Sequence, residues 1–310
     1  VDVTLPPLAA CPPGWNYIPS GASLVGASRP RWLWSDEYWI QTFEVTLGAV
    51  LDCLNDERAG SHITLASSTL LKPRYADNLE SLEVQLGAGG EWQAGPEVKD
   101  LTWPARGLSQ NDVGAYIEYA AKVLSPQPAG WYLALPTDAE WERAARGADG
   151  RLYPWGDDYR LGQCVDAHFD LDGDPELWPQ VVGCGADDVS VFGVHDLAGS
   201  VAERTESAFE TQRAVFAVRG GSYLDRDTVR MNTRARRGVG NTPVVDVGFR
   251  LVMRKQPSWL AALDHPLSFR DDFERPDGES VGAGWVELNA QPMRVPIDPG
   301  SPERCVLAAG

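Results

Sequence analysis

The stretch that decides the fold opens with Arg219-Gly220-Gly221-Ser222-Tyr223 and closes with Val247-Gly248-Phe249-Arg250. Working outward from it, Leu135-Pro136-Thr137-Asp138-Ala139-Glu140-Trp141 places a threonine three residues before a glutamate. That is a capping box, and it predicts a short helix which Gly147 ends at the C′ position. Ser109 followed by Asp112 starts an earlier helix, whose Val113, Tyr116, Ile117, Ala120, Val123 and Leu124 recur at helical spacing and read as a core stripe. Thr46 caps another helix, with Val50, Leu51 and Leu54 on one face. Strands are expected near residues 16–19 and over 38–42, where aromatic and β-branched residues gather. Residues 65–104 carry a weak pattern. Within them, Gly87-Ala88-Gly89-Gly90 lacks the lysine and the strand-to-helix setting of a phosphate loop, and it reads as a turn.

With 310 residues and 43% hydrophobic content, the chain can bury a large core in one or two soluble globular domains. No stretch is long and apolar enough to span a bilayer. The start, Val1-Asp2-Val3-Thr4, has no basic flank or hydrophobic signal core, so the sequence assigns no compartment. A net charge of -17 excludes a phosphate backbone as partner, since nucleic-acid binding draws its affinity from basic residues. Arg226, Arg230, Arg234, Arg236 and Arg237 form one basic cluster inside this acidic chain. Two readings stay open for it: arginines bridging irregular loops to carboxylates, or the floor of an anion-recognising cleft. Cys164 and Cys184 flank the acidic loop Asp170-Leu171-Asp172-Gly173-Asp174, and a disulfide between them is one expectation in an oxidising compartment. The histidines His62, His168, His195 and His265 include no HExxH pair, and no GxSxG elbow is present.

The two terminal blocks, the helix Thr137 to Arg146, the motif Tyr153-Pro154-Trp155-Gly156-Asp157, the early Phe43-Glu44-Val45-Thr46 and the later Gly193-Val194-His195-Asp196-Leu197-Ala198-Gly199 stand in an order of their own. Over about residues 13–254 this order resembles the formylglycine-generating enzyme (sulfatase-modifying factor) family. The resemblance implies an α+β, C-type-lectin-like fold with long irregular loops. Catalytic members carry two copper-binding cysteines between the Gly-Gly-Ser and Gly-Phe-Arg blocks and oxidise a substrate cysteine. Here Arg230 and Ala235 stand at those positions, and neither is a ligand for a soft metal. The family fold is therefore expected without that reaction.

The resemblance also implies a calcium site. Transferred position by position, its ligands are the carboxylates of Asp196 and Glu203 and the backbone carbonyls of Gly199 and Val201, all hard oxygen donors. Ser200 replaces the family's usual asparagine there, and Ala202 and Arg204 replace the tryptophans around the glutamate. A second calcium site falls near His168 and the loop Asp170 to Asp174. The segment after Gly-Gly-Ser is ligand-facing in such folds, and here it offers Tyr223, Asp225, Asp227, Arg230, Asn232 and Arg234.

Residues 1–12 read as a Pro-rich leader and 13–254 as the family-like domain. Residues 255–310 read as a linker and a segment similar to the opening of jelly-roll domains, through Asp271-Asp272-Phe273-Glu274-Arg275 and Gly284-Trp285. This segment either opens a domain continued beyond the sequence or packs on the main domain as an extra strand pair. The functional expectation is a non-catalytic, calcium-stiffened recognition module for a protein or small ligand. Blocks such as Trp103-Pro104-Ala105-Arg106-Gly107 look like versions attached to bacterial serine/threonine kinases, which makes a signalling domain a candidate partner in a parent chain. The alternatives are a metal-dependent oxidoreductase of the same superfamily and a carbohydrate-binding module, the latter suggested by the lectin-like fold and 12 tryptophans.

Overall fold

The computed structural model describes residues 12–26, 30–56, 84–96, 98–123, 128, 130–168, 179–210, 212–256, 285–287 and 294–296. The chain divides into two compact units, Val1–Pro257 and Ser258–Gly310. In chain order the first unit contains β1 (Trp15–Ile18), β2 (Gly21–Val25), β3 (Arg31–Ser35), β4 (Tyr38–Gln41), α1 (Leu47–Asn55), β5 (Val84–Leu86), β6 (Trp92–Ala94), α2 (Gln110–Val123), β7 (Trp131–Ala134), α3 (Asp138–Arg146), β8 (Ala202–Phe209), β9 (Gln212–Arg219), β10 (Arg236–Gly240), β11 (Val247–Gly248) and β12 (Val252–Lys255). The second unit has β13 (Trp285–Glu287) paired antiparallel with β14 (Arg294–Pro296).

The helices begin where local chemistry starts them. Thr46 accepts from Ala49 N–H at 3.3 Å. Ser109 and Asp112 exchange bonds, the Ser109 N–H donating to Asp112 Oδ2 at 2.9 Å and the Asp112 N–H to Ser109 Oγ at 3.2 Å. Thr137 and Glu140 close the capping box, and Gly147 follows α3 with φ 66°. The turn at Gly87 to Gly90 joins a β5–β6 hairpin that weak patterning had hidden.

A four-stranded sheet in the order β1-β4-β12-β7 is buried on both faces. Trp39 and Met253, paired in register, point with Val50, Val113, Tyr116 and Phe249 toward α1 and α2. Their neighbours Ile40 and Val252 point the other way, onto Trp141, Ala144 and Ala145 of α3. Period-2 alternation thus assigns successive residues of one strand to two cores. A second sheet runs β10-β9-β8-β11. Its strand β11 lies parallel to β8, with Val247 opposite Ala202 and Gly248 opposite Glu203. This pairing carries the Phe249-Arg250 end of the deciding stretch to Glu203.

Candidate recognition site and buried charge cluster

Arg250 spends every N–H it has inside the protein. Its Nε donates to Glu203 Oε2 and its Nη2 to Glu203 Oε1, both at 2.7 Å. Nη2 also donates to the His195 carbonyl at 2.8 Å, and Nη1 to those of Gln41 and Thr42 at 3.1 Å. Both side chains are excluded from solvent. Such a fork-shaped pair is the geometry in which a buried guanidinium is tolerated. Trp141 of α3 adds an indole N–H to Glu203 Oε2 at 2.9 Å. Its ring lies 5.8 Å from the guanidinium of Arg219, which donates to Glu142 at 2.6 Å. Trp141 therefore joins the opening arginine of the deciding stretch to the closing one.

Around Arg250 the carboxylates outnumber the cation. Glu44 is fully buried, neither of its oxygens has a donor, and the Arg250 Nη2 lies 3.7 Å away. Asp188 accepts through Oδ2 from the Ala198 and Gly199 N–H groups at 2.9 and 3.1 Å, while its Oδ1 is buried without a partner. Asp196, in a left-handed conformation at φ 59°, accepts from the Gly183 N–H. Burial, with the neighbouring Asp196 second, holds Glu44 well above the carboxylate range and pushes Asp188 up to about 8. Burial also pushes Asp196 up to about 6. With Glu203 these make four acids facing one guanidinium.

The predicted calcium donors lie in this cluster. Asp196 and Glu203 are both buried, and after burial itself the Glu203 carboxylate adds to what raises the Asp196 carboxyl. Both Glu203 oxygens already accept hydrogen bonds, Oε1 from Arg250 and Oε2 from Arg250 and Trp141. Gly199 packs so tightly that a Cβ there would stand 2.4 Å from the Val165 carbonyl oxygen. Among the described residues, no three His, Cys, Asp or Glu side chains converge on a common metal position. The expected calcium site takes two side chains and two carbonyls. The second calcium site, at Asp170 to Asp174, lies outside the described residues, as do His62 and His265.

The predicted ligand residues separate into an inner and an outer set. Tyr223 belongs inside, and this corrects its assignment to the ligand surface. Its ring is buried beneath the Arg106 guanidinium, 5.0 Å from the centroid, and its hydroxyl accepts from Arg106 Nη1. Asp225 turns back on its own loop, accepting from the Ser222 N–H and hydroxyl at 3.0 Å, and faces Arg230 Nε at 3.3 Å. Asp227 caps the Val229 N–H at 2.9 Å, and Asn232 that of Arg234 at 2.9 Å. Arg230 is 53% exposed and points away from the interior. The adjacent Met231 is buried with Ala198 and Tyr153.

The arginine cluster follows the bridging reading. Arg236 meets Asp138 at 2.8 Å, Arg237 meets Asp246 at 2.6 Å, and Arg234 donates to the Gly150 carbonyl at 3.0 Å. That last bond, with Thr233 N–H to the Leu152 carbonyl at 2.8 Å, fastens the 223–237 loop to the segment after α3. Beside the junction lies a pocket of about 240 Å³ lined by Asp149, Gly150, Arg151, Trp155, Gly156 and Asp157. Three residues of the Tyr153 to Asp157 motif, Trp155, Gly156 and Asp157, thus line a pocket that their order in the sequence does not mark. Cys164 and Cys184 are free thiols in the structure, so the expected bridge is absent between them. Each packs in a different apolar cluster, Cys164 beside Met231 and Cys184 beside Val201.

A family model described as "Sulfatase-modifying factor enzyme 1-like domain" matches residues 10–255. The chain belongs to this family. Its relatives include the bovine "Inactive C-alpha-formylglycine-generating enzyme 2", 31% identical over 154 residues that make up 46% of each chain. Another is the "Formylglycine-generating enzyme" of Mycobacterium tuberculosis, 37% identical over 81 residues, 24% of this chain and 27% of that one. The chain thus spans about half the length of the first of these, or less. Among solved structures, PvdO of Pseudomonas aeruginosa has a TM-score of 0.56 at 17% identity, covering 77% of this chain and 93% of its own. CarF has a TM-score of 0.54 at 17% identity, covering 78% and 98%. The fold of this family member is accordingly the α+β, C-type-lectin-like one. Among its described residues no helix is long and apolar enough to cross a membrane.

Proposed function

We propose that this member of the sulfatase-modifying factor family is a non-catalytic recognition domain. Its ligand face would be the 223–237 loop and the adjoining pocket. The observation that carries the reading is what stands at the family's two copper-binding positions. Arg230 is a solvent-facing cation paired with Asp225, and Ala235 ends in a methyl group. Neither supplies the thiolate that a soft metal needs. Similarity to relatives named inactive points the same way. The pocket is lined by the Arg151–Asp149 ion pair and by Trp155, charged and aromatic groups of the kind specific binding surfaces use. Oxygen uptake with a cysteine-containing peptide tests the reading. No uptake is expected with or without added copper, and copper-dependent uptake would return the protein to the oxidases.

Calcium is the cofactor we propose for the cluster, held by the Asp196 and Glu203 carboxylates and the Gly199 and Val201 carbonyls. The residues fit such an ion on charge and donor chemistry. Four buried acids face one guanidinium, Asp188 keeps an orphaned oxygen, and Glu203 Oε1 accepts a single N–H, leaving a lone pair. A bound calcium ion supplies positive charge and oxygen coordination, stiffening the loop from Asp196 to Glu203. Elemental analysis before and after chelation, with thermal melting in parallel, is the test. One calcium per chain and a lower melting temperature after its removal are expected. A protein with no calcium, whose melting is indifferent to chelator and to added calcium, would refute the assignment.

A further inference from the structure

The β2–β3 hairpin carries two large rings that the protein leaves in water. Trp32 is 65% exposed and Trp34 is 70% exposed. They are two residues apart on β3, so alternation puts both on one face of the strand. Directly opposite them on β2 are Leu24 and Ala22, the second also exposed. The other face is the packed one, with Ser23 and Val25 buried. The hairpin is also tied down from behind. Arg143 of α3 donates to the Pro19 and Gly21 carbonyls at 2.7 and 3.0 Å, and the Gly26 N–H donates to Glu142 at 2.9 Å. The rings therefore stand on a fixed support.

A buried tryptophan hides roughly 150–250 Å². Two rings exposed to this degree leave an apolar patch on the order of 200–300 Å², just under the roughly 300–600 Å² of a typical monomer's largest patch, which is often functional. The chemistry around the patch selects its occupant. Asp36, exposed and two residues beyond Trp34, adds a carboxylate just past the end of β3. Arg31 alternates with Trp32 and so projects to the other face. The chain as a whole carries -17, which draws cations toward it and repels anions. Indole faces next to a carboxylate, in a field of this sign, suit guanidinium groups, which stack on rings and shed their hydration easily.

We propose that the Trp32–Trp34 face docks an arginine-bearing basic segment of a partner protein, with guanidinium groups stacked on the two indoles and the carboxylate of Asp36 just past the strand's end. This surface is separate from the pocket beside the 223–237 loop, and its test does not depend on that reading. Among the described residues β3 pairs with β2 alone, so the segment can lie along its open edge.

The probe is octa-arginine, titrated by calorimetry and by tryptophan fluorescence against the whole protein at several salt concentrations, beside octa-lysine and octa-glutamate. Octa-arginine should bind more tightly than octa-lysine, and octa-glutamate should not bind. Trp32→Ala with Trp34→Ala should weaken octa-arginine about tenfold, the scale of two exposed cation–π contacts. The unchanged net charge should leave the salt dependence as it was. Trp32→Phe with Trp34→Phe should recover part of the loss, and thermal melting of each variant certifies its fold. Equal affinity in native protein and the double alanine variant would overturn the proposal, since attraction by charge alone would explain it. Concentration-dependent dimerisation abolished by the same variant would also overturn it, by assigning the face to a second copy of this chain.

Discussion

Arg250 and Glu203 form a two-point ion pair with neither side chain reaching solvent, although 47 residues separate them. The parallel contact of β11 with β8 is what brings them together. Arg250 also holds the Gln41, Thr42 and His195 carbonyls, so it ties three distant segments to one point. Truncating one partner leaves an uncompensated buried charge, which costs roughly 3–5 kcal/mol. Arg250→Ala is therefore expected to lose most of the domain's stability in urea unfolding. Arg250→Lys should be intermediate, because an ammonium keeps the charge but cannot make the fork.

Acidity should favour the chelated protein across the neutral range, the reverse of common behaviour. Asp188 and Asp196 have folded pKa values pushed up to about 8 and about 6, above their unfolded value. Between that value and the folded ones the native state binds more protons than the unfolded chain, so stability falls as pH rises. Each such group contributes a slope of up to about 1.4 kcal/mol per pH unit. Urea midpoints of chelator-treated protein should thus decline from pH 5 to pH 8. Asp188→Asn should flatten the decline, and saturating calcium should reduce it by replacing protons with a cation.

Gly199 stands where the chain folds back on Val165, and an added Cβ would lie 2.4 Å from that residue's carbonyl oxygen. Backbone on both sides cannot yield as a flexible side chain could. Gly199→Ala should destabilise by about 1–3 kcal/mol, the usual cost of overpacking. It should also weaken calcium retention, since the displaced carbonyl is one of the proposed ligands. Melting with and without calcium separates the two effects.

Local signals were legible in the sequence because their partners lie within one turn. Thr137 with Glu140 and Ser109 with Asp112 needed only their spacing, and the Val113, Tyr116 and Ala120 stripe needed only a period. The order of blocks then gave the fold family. Long-range relations stayed hidden. Glu44 meets Arg250 across more than 200 residues and Asp188 lies 62 residues before it, and no spacing rule marks a buried acid in advance. The 84–94 hairpin escaped because its strands are three residues each. The exposure of Trp32 and Trp34 was equally invisible, as an aromatic strand usually reads as core.

Tyr223 is the residue on which the sequence and the structure part most clearly, and a single oxygen distinguishes them. As a ligand contact, its loss would weaken binding and spare the fold. As the structure has it, the hydroxyl accepts from Arg106, whose Nη1 also reaches the Val245 carbonyl at 2.8 Å. Tyr223→Phe keeps the ring and the cation–π contact at 5.0 Å but removes that acceptor. A buried donor left unsatisfied costs about 1–3 kcal/mol. The variant should therefore unfold at lower urea with an unchanged slope, while Arg230→Ala, which breaks a half-exposed pair, should shift stability by less than about 1 kcal/mol. Equal and negligible shifts in the two variants would put the Tyr223 hydroxyl outside the core.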